Sequence, residues 1–553
     1  MPDEAARPLA PYLCWGVLIF IVLFWRLGAP SFWDPDEAHY AQTSRELIQS
    51  GDWLAPFYNH QPFFDKPVLF HVLQALPMRL LGPSELAARM VPALAAFALI
   101  LTTWWLGTVL ASADVGFLAA LLLTISPAVF ALSRYAILDT LFTALLFGGV
   151  SLLTVAALRD RPRLQYGGYI LLAGATLTKG PVAMVLSGLA FLIAVAVSVD
   201  ARRRLLGLRW VVGLVIVVAL ATPWFAYMLL RFRGDFVHGY LLNENLTLFT
   251  SPPYQNQPGW WFYLQIIALG FLPWTLVLVG RLIDNVRRAR ARANVPDTFE
   301  ILLWAWTIAV VGFFSISRFK LDHYVFPALP AICLIAARAW FDVGEGQVGQ
   351  VFARIGVLAV GPILAVAGVT AAVLMRRLDL PSAALVAPAS LFVAGGILIV
   401  RSRSRAVSRV PWSALAAFGI TYIVVILWIG PALERWKVVP DVARWVAAHS
   451  DGSTRVGAYR MNRWDPALRF YVERQTTVLE TPSQAAVFFA VPEPFYCVMR
   501  GEDFDDLVAH GAQIEVVYTK SGMWATSGRA LWREGATYTD FVVATARHHA
   551  AVD

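Results

Sequence analysis

Thirteen apolar runs dominate the chain, near residues 11–28, 87–110, 115–133, 137–158, 166–178, 181–199, 208–229, 260–280, 299–316, 321–340, 353–375, 382–400 and 411–431. At about 1.5 Å per helical residue nearly all can cross a ~30 Å hydrocarbon core, the run at 166–178 being the shortest. Of 553 residues, 58% are hydrophobic and only 15% charged. A soluble chain is nearer 45–50% apolar and about 25% charged. One soluble core cannot hide so much apolar surface, whereas a bilayer solvates it. Soluble enzymes, disordered scaffolds and fibrous proteins are excluded. The expected fold class is an all-α polytopic membrane protein of about thirteen transmembrane helices with a small C-terminal α/β domain.

Charge gives the expected orientation. Sixteen arginines crowd four connections, 159–163, 202–209, 281–292 and 401–409. With thirteen spans and an inner N-terminus, all four face the cytoplasm, as positive-inside loops should. The short outer turns then hold only Arg134, Lys179, Arg318, Lys320, Arg376 and Arg377. Topology therefore accounts for the net charge of +8, and no basic stripe points to nucleic acid. Cys14, Cys333 and Cys497 lie too far apart for a disulfide framework or a metal knuckle. The first apolar run lacks a small-residue cleavage site and is expected to be a retained anchor.

Three stretches fall outside: 29–86, 230–259 and everything after 432. The first two are expected to be outer-face loops of a 1–432 transmembrane domain, and 433–553 to be an extracytoplasmic α/β domain. The runs RVGAYR (455–460), AVFFAV (486–491) and IEVVYT (514–519), with a helical stretch near 440–449, carry the last expectation. No internal repeat is visible, so the inverted-repeat signature of many secondary transporters is missing.

Polar residues at the membrane edge carry the chemistry. There are 40 arginines and five lysines, so arginine is the default cation. Yet the three lysines of the membrane part, Lys66, Lys179 and Lys320, all fall on the outer side. A lysine ammonium is a compact charge suited to a phosphate; the plainer reading is that each snorkels to outer headgroups. His39, His60, His71, His238 and His323 also sit in or beside outer loops.

Four segments combine charged side chains at the outer edge, among them Lys66, Lys320, His39, His323 and Asp139. WDPDEAHYAQTSREL (33–47) starts an amphipathic helix. Its acids have two readings. In one, Asp34 is the N-cap, Pro35 the first helical residue and Glu37 the capping-box partner, with Asp36 favouring the dipole. In the other, the carboxylates supply a general base. In FFDKPVLF (63–70), Lys66 stands before a helix start, where the dipole repels a cation; either a bound anion or a pair with Asp65 explains it. In SRYAILDT (133–140), Asp139 lies at the apolar edge and needs Lys66, Arg134 or Lys179 as partner. SRFKLDHYVFPALP (317–330) packs Arg318, Lys320, Asp322, His323 and Tyr324 between two spans, against the positive-inside rule.

In order and spacing across residues 15–335, WDPDEAHYAQTSREL, FDKPVLFH, the LD of SRYAILDT and SRFKLDHYVFPALP resemble the GT-C-type glycosyltransferases that use polyprenyl-phosphate-linked sugars. The likeness is nearest to the bacterial aminoarabinose lipid A transferases and extends to the protein O-mannosyltransferases. NENLTLFTSPPYQNQPGWWFY (243–263) fits loosely; that family carries histidines and an arginine where Asn245, Leu248 and Asn256 stand here.

The resemblance implies that Asp36, with Glu37 and Asp139, forms the catalytic group, Asp36 acting as base or acceptor-orienting residue. Lys66, held by Asp139, would contact the donor phosphate, with Lys320 and Tyr324 on the far side and Arg134 and Lys179 nearby. Asp65, His39, Tyr40, Glu244 and His323 would bind substrate. A divalent cation stays open and no other cofactor is implied. Donor, acceptor (a lipid, glycan or protein) and membrane lipids are the implied partners, at the periplasmic face of a bacterial inner membrane. Polyprenyl phosphate is the leaving group, so fixed cations matter more than a general acid. A single displacement with one base predicts inversion. An envelope-glycan polymerase or flippase, or a secondary transporter, is the alternative.

Overall fold

The computed structural model describes residues 9–33, 35–251, 257–291, 296–378, 380–403, 410–462, 465–523 and 538–547. Each of the thirteen runs coincides with a helix or a pair of helices. Length and hydropathy are stricter. Among the described residues, eight helices are long and apolar enough to cross a membrane, or ten if two bent pairs each count as one span.

The helices that fall short explain the difference from thirteen. Ala10–Leu23 has 14 residues and Leu164–Lys179 and Val182–Val197 have 16 each. At about 1.5 Å per residue these reach only ~21–24 Å. The run at 115–133 breaks into Ala113–Thr124 and Pro127–Ser133 with a 60° bend. Pro127 has no amide proton to continue the first helix, but suits the first turn of the second. The run at 260–280 is not one rod either: Phe262–Gly270 and Thr275–Arg290 meet at 117°.

Side chains of the bundle interdigitate in one large core that includes Trp15, Phe142, Phe147, Trp306 and Trp340. Small residues set the closest crossings. A Cβ on Gly107 would lie 2.6 Å from the Cα of Gly116, so the helices Glu85–Leu110 and Ala113–Thr124 touch backbone to backbone. The inner ends are tied by charge. Arg281, only 2% exposed, donates to both carboxylate oxygens of Glu300 at 2.7 and 2.6 Å and to Asp342 at 2.6 Å. Expected in an inner connection, Arg281 is instead a buried tie between three helices. Arg292, Arg405 and Arg409 lie outside the described residues.

The outer loop 29–86 has its own structure. It holds the helix Asp36–Ser50, the antiparallel strands β1 (Phe57–Tyr58) and β2 (Gln61–Pro62), and the helix Leu69–Leu81. Pro35 is the N-cap and offers no side-chain cap; the expected cap, Asp34, lies outside the described residues. The helix ends at Gly51, whose φ of 71° is the left-handed stop that glycine adopts freely. The second outer stretch begins as a continuation of the helix Trp210–Phe236, which widens into π-helical turns over Val237–Thr247.

The tail forms a five-stranded sheet of order β4-β3-β5-β7-β6. The strands are β3 (Arg455–Tyr459), β4 (Thr477–Leu479), β5 (Phe495–Arg500), β6 (Ile514–Met523) and β7 (Tyr538–Ala546). β3 pairs parallel with β4 and β5, while β7 is antiparallel to β5 and β6. RVGAYR and IEVVYT are strands as expected. AVFFAV is not: it lies mostly in the helix Pro482–Phe489, started by a Thr481–Gln484 capping box with Pro482 in the first turn. Local capping decides what a short apolar run cannot.

The sheet side is stitched to the outer helix. Phe32, Ala38 and Ala41 pack with Val442, Ala467, Leu468 and Phe470. Arg45 donates to the carbonyls of Phe470 and Arg469 at 2.8 and 3.1 Å. The Phe32 amide donates to the Tyr471 hydroxyl at 2.8 Å, which donates to Glu85 at 2.7 Å.

Candidate active site

A cavity of about 490 Å³ opens between the outer helix, the loop before Leu69, the helix starts at Asp139 and Asp322, and the π-helical stretch. Asp36, His39, Tyr40, Asp65, Lys66, Asp139, Lys179, Glu244, His323 and Tyr324 all line it. Residues separated by up to 288 positions thus converge. Phe63, Leu248, Phe249, Phe313 and Phe314 supply an apolar wall, as a lipid-linked ligand would need.

Two ammonium–carboxylate pairs dominate. Lys66 Nζ lies 2.7 Å from Glu244 Oε2 and donates to the Asp65 carbonyl at 2.8 Å. Lys179 Nζ pairs with Asp139 and sits 4.5 Å above the Tyr324 ring and 5.4 Å from that of Phe142. His323 Nε2 stands 3.6 Å from the other Asp139 oxygen, with Asp322 3.2 Å from its Nδ1. Of the three partners open to Asp139 in the sequence, Lys179 is the one found, and the Lys66–Asp139 pair implied by the resemblance is corrected. Asp139 starts a helix beside the end of Leu164–Lys179, so Lys179 reaches it first and Lys66 turns to Glu244.

Gly180 fixes the Lys179 end. Its φ is +90°, and a Cβ there would meet the Tyr240 hydroxyl at 2.2 Å. Only glycine lets the chain turn this closely past Tyr240.

The outer helix is held against the bundle by a buried polar chain. Ser44 Oγ lies 3.1 Å from His71 Nδ1 and donates to Gln74 at 2.7 Å, and Gln74 donates to the Ala88 carbonyl at 2.9 Å. Tyr40 stacks on His71 at 5.4 Å. The His39 ring packs 4.0 Å from that of Tyr58, and the guanidinium of the tail's Arg469 lies 4.9 Å from the centroid of the same Tyr58 ring. Burial first, then Arg469, lowers the His39 pKa to about 4, so its ring is neutral near pH 7. Burial raises the Asp65 carboxyl, against the pull of Lys66.

Three expected site residues are elsewhere. Glu37 is fully buried, and both its oxygens are taken by Arg89, at 2.8 Å each, with the amides of Trp33 and Ala136. That pair replaces the expected capping box and removes Glu37 from the cavity. Arg134 donates to the carbonyls of Trp25 and Arg26 at 2.9 and 3.1 Å. The Lys320 ammonium turns to the Ser317 carbonyl while its neighbours Phe319 and Leu321 face the cavity. Lys66 and Lys320 therefore do not share the cavity; Lys66 and Lys179 do. Arg89 was overlooked, although an arginine inside the run 87–110 is itself a signal. Among the described residues no three His, Cys, Asp or Glu side chains could jointly hold a metal ion. Asn256 lies outside the described residues.

The helical body gathers its charged side chains in one cavity at the ends of its helices. The dolichyl-phosphate-mannose-protein mannosyltransferase family matches residues 65–227. The undecaprenyl phosphate-alpha-4-amino-4-deoxy-L-arabinose arabinosyl transferase of Yersinia pestis (strain Pestoides F) is 29% identical over 328 residues, 58% of this chain and 57% of that protein. The enzyme of the same name from Aeromonas hydrophila is 30% identical over 345 residues, 60% of this chain and 61% of that protein. The matched region thus spans less than two thirds of these relatives. ArnT from Cupriavidus metallidurans bound to undecaprenyl phosphate aligns with a TM-score of 0.73 at 20% identity, over 97% of this chain and 98% of that one. The resemblance seen in the sequence is borne out: this chain has the GT-C fold of the ArnT and protein mannosyltransferase type.

Proposed function

We propose that the chain is an inner-membrane glycosyltransferase that moves a sugar from undecaprenyl phosphate to a cell-envelope acceptor at the periplasmic face. The convergence of Lys66 and Lys179 with Asp36 in one aromatic-walled cavity carries this reading. Lys66 receives the donor phosphate, and Asp36 takes the proton of the acceptor hydroxyl. The hydroxyl oxygen attacks the anomeric carbon from the face opposite the phosphate. The sugar–phosphate bond breaks with its electron pair on the phosphate oxygen, where the ammonium stabilises the charge. The anomeric centre inverts.

Charge balance favours an amino sugar. Among the described residues, Asp36, Asp65, Asp139 and Glu244 line the cavity with two lysines and His323, so a phosphate entering it adds negative charge where carboxylates already outnumber ammonium groups. A protonated amino group on the sugar offsets it, in keeping with the aminoarabinose named for the relatives. Lipid A is the acceptor to test first. Purified protein in nanodiscs, supplied with an undecaprenyl-phosphate amino sugar and lipid A, should form glycosylated lipid A and free undecaprenyl phosphate. NMR should show the opposite anomeric configuration in the product. Retained configuration, or no transfer to any envelope acceptor, would overturn the proposal.

A further inference from the structure

Lys66 is the cation best placed for a phosphate, yet it is already engaged. Glu244 holds it at 2.7 Å, and both side chains remain about a fifth exposed, at 20% and 22%. That differs from the other pair in the cavity. Lys179 and Asp139 are only 10% and 9% exposed, with His323 and Tyr324 packed around them. The Lys179 pair is built into the wall, whereas the Lys66 pair faces the space a ligand fills.

The two partners of Lys66 also differ. One is the Asp65 carbonyl, fixed by its own backbone. The other is a side chain 178 residues away, carried on the π-helical stretch Val237–Thr247. π-helical turns are rare and occur frequently at functional sites. Arg233, just before this stretch, has a φ of 48°, a conformation that non-glycine residues rarely adopt. Glu244 can therefore withdraw while the Asp65 carbonyl keeps Lys66 aimed at the cavity.

We propose that Glu244 is a displaceable counter-ion: the donor phosphate takes its place on Lys66, and the freed carboxylate then pairs with the amino group of the sugar. One residue thereby ties phosphate binding to the choice of sugar. The exchange keeps each ammonium opposite an anion throughout, so neither charge is left unpaired in a poorly solvated site. The second half rests on the amino-sugar reading above; the first does not.

Binding of undecaprenyl phosphate alone to the full chain in nanodiscs tests the first half. Glu244→Gln removes the competitor and should tighten binding about five-fold. Lys66→Met should weaken it about ten-fold or more. A clamp that merely orients Lys66 would give the reverse for Glu244→Gln, and unchanged or weaker binding overturns the exchange. Should the glutamine variant fail to fold, Glu244→Asp serves: its shorter reach loosens the pair, so binding should again tighten, and equal or weaker binding overturns the exchange. For the second half, the wild type should bind an amino-sugar donor more tightly than its neutral-sugar counterpart, and Glu244→Gln should lose that preference. A preference that survives in Glu244→Gln overturns Glu244 as the sugar contact. Tighter carrier binding in a protein that transfers no sugar would sink the proposed function and leave the exchange standing.

Discussion

Two adjacent acids on the outer helix show how far side-chain environment separates residues that look alike in sequence. Asp36 lines the cavity; Glu37 is clamped by Arg89. Removing the charge of Glu37 leaves a buried guanidinium facing the Leu27, Pro30 and Ser31 carbonyls alone. Breaking such a pair costs about 3–5 kcal/mol. Glu37→Gln should therefore lower the melting temperature sharply in detergent. Asp36→Asn should abolish transfer and lower that temperature less than Glu37→Gln does. Equal stability of the two variants would contradict the clamp. His39 gives a pH signature. Its folded pKa of about 4 lies below the 6.5 of the free side chain, so between these values the unfolded chain binds the extra proton. Its contribution to stability is present above about pH 6.5 and is lost as pH falls toward 4. His39→Gln should flatten thermal stability between pH 7 and 5; an unchanged pH dependence would rule the residue out as its source.

At the scale of elements, the sequence was most legible where periodicity or run length carries the signal. All thirteen apolar runs are helical, and β3 and β6 coincide with their alternating segments. Pairings across the bundle were not legible. The residues alone leave Lys66, Arg134 and Lys179 open as partners of Asp139, and the resemblance implies Lys66; which cation reaches a carboxylate depends on which helix ends meet. Lys320 is expected in the cavity from its place on the outer side and from the resemblance; a local turn sends its ammonium to the Ser317 carbonyl instead. The turn after Lys179 is the element on which the observed pairing depends. At Gly180 any side chain faces both an unfavourable φ and the Tyr240 hydroxyl, a strain of order 1–3 kcal/mol before any clash. Gly180→Ala should shift Tyr240 and the end of the Lys179 helix, and weaken undecaprenyl phosphate binding several-fold. Wild-type affinity in that variant would mean that the cavity does not depend on this turn.

On the scale of the whole molecule, the cavity and the tail must share one side of the membrane. The tail packs on the outer helix through Phe32, Ala38 and Ala41, and its Arg469 reaches the Tyr58 ring beside His39. The arginine-rich connections define the opposite side. That asymmetry was legible in the sequence because it is compositional; the contact between tail and helix was not, since nothing in either segment names the other. The arrangement predicts a labelling pattern. Cys333 and Cys497 are buried and Cys14 is exposed, so Cys14→Ser gives a quiet background. His510 in the tail and Arg203 in an inner connection are both exposed. In cells with a permeabilised outer membrane and an intact inner one, a charged maleimide should label His510→Cys at once. Arg203→Cys should react only after lysis. The positive-inside bias allows no other orientation without sending the arginine-rich connections outward. Labelling of Arg203→Cys in intact cells, with His510→Cys protected, would invert the topology and place the cavity on the cytoplasmic side, away from any periplasmic acceptor.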